Sequence, residues 1–130
     1  MPGVEEFRGI RIVASRQALD SCSWPTGAMV LRLAPDEVVV LGLDESHVSR
    51  HEIDDGSAIQ VVEHGFCGVR LPRFDFDHWF RAGADWELPI DSPSFAQGAV
   101  AGVPVKLLIG DEDVLVVTRS SLRHELEARL

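Results

Sequence analysis

The side chains that could do chemistry are few and scattered. His47 and His51 stand four residues apart, followed by Glu52, Asp54 and Asp55. On a helix that spacing puts two imidazoles on one face, and the carboxylates could complete a divalent-metal site. Val48 follows the first histidine, so the HExxH pattern is not met, and on a non-helical connection the same residues read as a solvated acidic loop. Asp75, Asp77 and His78 form a second cluster, in which a carboxylate beside an imidazole could orient it and raise its pKa for acid–base work. Two aspartates in the first turn of a helix are also explained by the positive end of the helix dipole. Cys67 and His64 suggest a thiol–imidazole pair, yet Cys67 lies in an apolar run where a small buried core residue is the default. Ser46 and Ser49 lack a GxSxG context. Gly98, Gly102 and Gly110 lack both GK[ST] and GxGxxG, so no phosphate loop is defined.

The elements that must position these groups read from hydrophobic periodicity. Ile10, Ile12 and Ala14 alternate against Arg11, which predicts a half-buried strand over residues 8–14. Residues 15–22 fit one short helix or a turn before Trp24-Pro25-Thr26-Gly27 breaks the chain. From Ala28 to Gly42, two apolar runs flank Ala34-Pro35-Asp36-Glu37, a hairpin signal in which proline presets φ and Asp36 can bond nearby backbone. Residues 43–57 read as an acidic connection. Ile59, Val61 and Val62 then predict a strand, Gly65 an interruption, and Phe66 to Pro72 a further strand.

Phe76, Trp79 and Phe80 at i, i+3 and i+4 predict a helix over 75–82, with Gly83 placed to end it. A proline-punctuated loop follows, then strands meeting at Gly110-Asp111-Glu112-Asp113, with Pro104 marking an edge position or the start of a strand. Leu122, Leu126 and Leu130 at i, i+4 and i+8 predict a terminal amphipathic helix, with Glu125 and Arg129 spaced for an ion pair. Hairpins are too frequent for a doubly wound parallel sheet. The fold expected is α+β, a mostly antiparallel sheet with two to three helices.

The chain has 130 residues, the size of a single domain, 1–130, with its own core. Twelve basic against 21 acidic residues leave a net charge of −9, and −4 with all five histidines protonated. Such a surface repels phosphate backbones and excludes nucleic acid as the expected partner. No apolar stretch approaches the roughly 20 residues that span a bilayer, and the acidic start MPGVEEFRG lacks the features of a signal peptide. Cys22 and Cys67, far apart and outside any CxxC spacing, are expected as free thiols in the cytoplasm.

Two blocks carry a family resemblance. Leu31 to Gly42, LRLAPDEVVVLG, resembles a strand–turn–strand segment of the gamma subunits of heterotetrameric sarcosine oxidases. The run IQVVEHGFCGVRL, then DHWFRAGADWELP, FAQGAVAGVPVKLLI and VLVVTRSS, is similar to the carboxyl-terminal half of that subunit in the order strand pair, helix, loop, hairpin and final helix. Together they cover roughly residues 28–130. The resemblance implies a fold related to the aminomethyltransferase-like, folate-binding domain and a role as a non-catalytic accessory subunit of a flavin-dependent demethylating amine oxidase. It implies that flavin and folate sit in larger partner subunits, and it transfers no catalytic residue to this chain.

On this reading the partner is a larger oxidoreductase subunit. Trp86, Val100 and Val103 are the expected contact residues, with a homo-oligomer also compatible. The alternative is a stand-alone domain binding a folate- or pterin-like ligand. Arg70, Arg73 and Lys106 are the cations that would face its anionic group, although surface solubility explains them as well. A hydrolase or metalloenzyme using His47, His51 or His78 ranks last.

Overall fold

The computed structural model describes residues 3–43 and 53–130, and the chain divides into two units, Phe7–His64 and Gly65–Leu130 with the residues before Phe7. Seven strands, three α-helices and a 3₁₀ turn are formed among the described residues, and each strand pairing described below is antiparallel. His47 and His51 lie outside the described residues.

In the Phe7–His64 unit the strand order is β2-β3-β1-β4, with β1 at Glu5–Val13, β2 at Met29–Ala34, β3 at Glu37–Leu41 and β4 at Ile59–Pro72. The expected hairpin is present, with Pro35 and Asp36 between the paired residues Ala34 and Glu37. β1 adds to its far side in the register Ile10↔Val40 and Ile12↔Val38. These four side chains form one apolar layer with Ala14, Ala18, Leu19 and Leu43. Val39 and Leu41 are fully buried as well, so β3 has both faces covered, which is why its sequence is a continuous apolar run rather than an alternation. Gly9 pairs with Leu41, and a Cβ there would lie 1.8 Å from the Val40 carbonyl oxygen, so only glycine permits this approach.

Helix α1, Arg16–Asp20, is N-capped by Ser15, whose hydroxyl accepts from the Ala18 N–H at 3.1 Å. Ala18 and Leu19 turn into the core. The Arg32 guanidinium fastens this helix to the hairpin by donating to Asp20 at 2.9 Å, the Ala34 carbonyl at 3.1 Å and the Pro35 carbonyl at 2.6 Å.

The expected break at Gly65 does not occur, since β4 is one strand through that residue. A glycine weakens a strand but does not end it while ladder partners hold both flanks. In the second unit the order is β4-β7-β6-β5, with β5 at Ser94–Val100, β6 at Val103–Ile109 and β7 at Asp113–Arg119. β5 and β6 join through Ala101 and Gly102, both at positive φ (51° and 80°), the geometry that two-residue hairpins favour. That turn closes on the Val100–Val103 pair, so Pro104, opposite Ala99, falls on a non-hydrogen-bonded pair by the antiparallel alternation. Its register with β7 begins only at Lys106, so the missing N–H breaks no ladder bond. The start-of-strand reading of Pro104 therefore holds. Thr118, buried in β7, donates its hydroxyl to the Pro104 carbonyl at 2.7 Å.

Helix α2 runs Arg73–Gly83, two residues earlier than the aromatic spacing predicts. The Arg73 N–H donates to the Glu112 carbonyl at 2.8 Å, so the turn before β7 supplies the first bond and carries the helix back to Arg73. Phe76 and Phe80 are buried against Val100, Leu107 and Val116. Gly83 ends the helix without entering the left-handed region. Its role is packing, because a Cβ there would meet the Ala101 nitrogen at 3.0 Å and Val100 Cγ1 at 3.1 Å. A 3₁₀ turn, Ser120–Leu122, leads into α3, Arg123–Arg129, which buries Leu126 completely. The expected Glu125–Arg129 side-chain pair is replaced: Arg129 donates to the Glu125 main-chain oxygen at 2.8 Å and to the Ala101 carbonyl at 2.7 Å.

Candidate docking site

Among the described residues the sequence-derived candidates have definite places. Asp55, offered as a metal ligand, accepts from the N–H groups of Ser15 and Ser57, both at 2.8 Å, and these bonds hold its carboxyl below the usual aspartate range. It braces the approach to α1. Among the described residues no three His, Cys, Asp or Glu side chains are grouped to hold a metal ion. Cys67 is fully buried, with its sulfur 3.8 Å from the Arg119 carbonyl. Burial first, and the nearby Glu6 carboxylate second, push its thiol up to about 11, whereas His64 is exposed. A thiol so placed is protonated at neutral pH and is a core side chain.

The three nominated cations do not converge. Arg70 pairs with Asp113 at 3.4 Å. Arg73 donates to Asp77 at 2.9 Å and to the Gly110 carbonyl at 2.9 Å. Lys106 places its ammonium 5.6 Å from the centre of the buried Phe66 ring, and the Arg119 guanidinium lies 5.5 Å from the same ring. The predicted contact residues also need correction. Val100 and Val103 are 0% and 2% exposed, because they close the β5–β6 hairpin inside the core, and they present no surface to a partner. Trp86 is half-buried. Its indole N–H donates to the Ala99 carbonyl at 2.8 Å and its ring meets Phe80 edge-on at 4.9 Å, while the side chain also lines a surface depression with Asp77, Arg81 and Glu87.

What the sequence reading missed lies on the opposite side of α2. Phe74 is 82% exposed, and with His78 and Ala82 it forms an i, i+4, i+8 stripe. Together with Leu71, Trp79 and Leu130 this stripe lines a groove of about 470 Å³, and Asp75 is also among its lining residues. Starting the helix at residue 75 leaves Phe74 in the preceding turn and hides the stripe. The groove wall is fixed: the Trp79 indole N–H donates to the Arg129 carbonyl at 2.9 Å, tying α2 to α3. Phe76 supports it from below, 6.2 Å from Trp79 and 5.7 Å from Phe80 between ring centres. The geometry offers a largely apolar, pre-formed surface with His78 and Asp75 among its lining residues.

The chain matches no family model, and no curated protein matches it in sequence. Among the described residues no helix is long and apolar enough to cross a membrane.

Proposed function

We propose that this chain is a non-catalytic accessory subunit that docks onto a larger subunit of a flavin-dependent demethylating amine oxidase such as sarcosine oxidase, works in the cytoplasm and acts in assembly. The observation that carries the docking reading is Phe74, a large aromatic side chain 82% exposed on a helix whose other face is core. Exposed aromatic anchors beside a pre-formed groove are the usual centres of protein contacts. The oxidase assignment, and with it the relation to the aminomethyltransferase-like fold, rests on the sequence blocks at residues 31–42 and 59–121. The alternative, a stand-alone folate- or pterin-binding domain, is less well supported. Among the described residues no lysine or arginine lines the groove, where an anionic ligand would need one, and Arg70 and Arg73 are held by partners of their own.

The test is affinity capture of the tagged chain from its host, with identification of the co-eluting protein and a visible spectrum of the eluate. A stoichiometric larger subunit with oxidised-flavin absorbance, lost in F74A, is the expected result. Recovery of a colourless chain alone overturns the assignment, and equal capture by F74A overturns docking through Phe74. Removing so exposed a side chain should leave stability within about 0.5 kcal/mol of wild type. Calorimetric titration with tetrahydrofolate addresses the alternative, and saturable heat would favour it.

A further inference from the structure

Helix α2 carries apolar side chains on two sides, and on the second of them His78 stands between Phe74 and Ala82. Phe76 and Phe80 face the core, while Phe74, His78 and Ala82 line the groove that Leu71, Trp79 and Leu130 complete. A helix packed on one core needs a single apolar stripe, so the second stripe has the form of a seat for another element. The charges around it are uneven. Asp75 lies in the groove wall, and among the described residues no cation pairs with it. Arg73 is bonded to Asp77 and to the Gly110 carbonyl, and His78, one turn on from Asp75, lines the same groove. Arg81 lines a separate depression, with Asp77 and Glu87. A second copy of this chain would set a charge of −9 against −9, which costs association free energy.

We infer that the α2 groove receives a basic amphipathic helix of the partner chain, which inserts aliphatic or aromatic side chains beside Phe74 and sets a lysine or arginine against Asp75. An i, i+4, i+8 stripe presents the ridge-and-groove relief into which a helix packs. Phe74 and Trp79 supply the apolar contact, and Asp75 sets orientation and excludes acidic competitors. This inference rests on the docking reading above and does not depend on the partner being an oxidase.

The probes are two labelled peptides of one helical design, with leucines on one face and either lysines or glutamates on the other, titrated against the full chain by fluorescence anisotropy. The Leu/Lys peptide should bind about 10-fold or more tightly than the Leu/Glu peptide, and F74A should weaken it about 10-fold with no change in net charge. D75N should weaken it about 3-fold and flatten its salt dependence. Equal binding of the Leu/Lys peptide to wild type and F74A would mean diffuse attraction to an acidic protein and would overturn the inference, as would equal binding of both peptides. Self-association of the chain, abolished by F74A in sedimentation velocity, would assign the groove to a second copy instead. Peptide binding that behaves as expected, with no flavoprotein captured, removes the oxidase assignment and leaves the groove's occupant standing. Flavoprotein capture without a peptide response does the reverse.

Discussion

Gly98 sits under the Trp86 indole, and a Cβ there would lie 2.5 Å from two of its ring carbons. The indole cannot yield cheaply, because it is held by the Ala99 carbonyl and by Phe80. Gly98→Ala should therefore destabilise the fold by about 1–3 kcal/mol through overpacking, read as a lower urea midpoint with an altered tryptophan emission. Cys67 gives a second expectation. Its thiol is held near 11 by burial, against an ordinary value of 9.0, so between those values the unfolded chain releases a proton that the native chain keeps. That stabilising contribution is complete below pH 9 and is lost as the pH rises toward 11. A thiol reagent at pH 8 should modify no more than Cys22 in the native protein and both cysteines in denaturant. Native labelling of Cys67 would contradict the buried placement.

At the scale of elements, the start of β1 and the end of the chain are joined by charge. The Arg123 guanidinium of α3 donates to Glu6 at 2.6 Å, to the Val4 carbonyl at 2.5 Å and to Glu127 at 3.2 Å, while the Ser120 hydroxyl donates to Glu6 at 2.6 Å. The Ser120 hydrogen bond first, and the Arg123 bond second, hold the Glu6 carboxyl below its ordinary 4.5. A carboxyl lowered in the native state stabilises above its unfolded value and loses that contribution as the pH falls through the native one. The thermal midpoint should fall as the pH drops below about 4.5, and E6Q should flatten that decline while lowering the midpoint at neutral pH. An unchanged acid profile in E6Q would remove the cluster from the account of acid stability. Fastening of this kind was invisible in sequence, because Glu6 and Arg123 lie at opposite ends of the chain.

For the whole molecule, a charge of −9 predicts that the protein neither shifts a DNA duplex in a gel at low salt nor passes an anion exchanger unretained at pH 7.5. A saturable DNA complex would show a clustered basic surface that the charge balance conceals. The sequence by itself determined the α+β class, the hairpin at Pro35-Asp36, the aromatic helix and the buried Leu126, because alternation, turn chemistry and helical spacing are local properties that survive into the fold. Only the tertiary structure decided the continuity of β4 through Gly65, which depends on ladder partners distant in sequence. The same is true of Val100 and Val103, whose apolar character is equally consistent with a core and with a contact surface until the enclosing elements are in place. The Phe74 groove belongs to this second group as well: it exists because a bond from Arg73 to Glu112 extends α2 backward, and because Leu71 and Leu130, 59 positions apart, meet beside it.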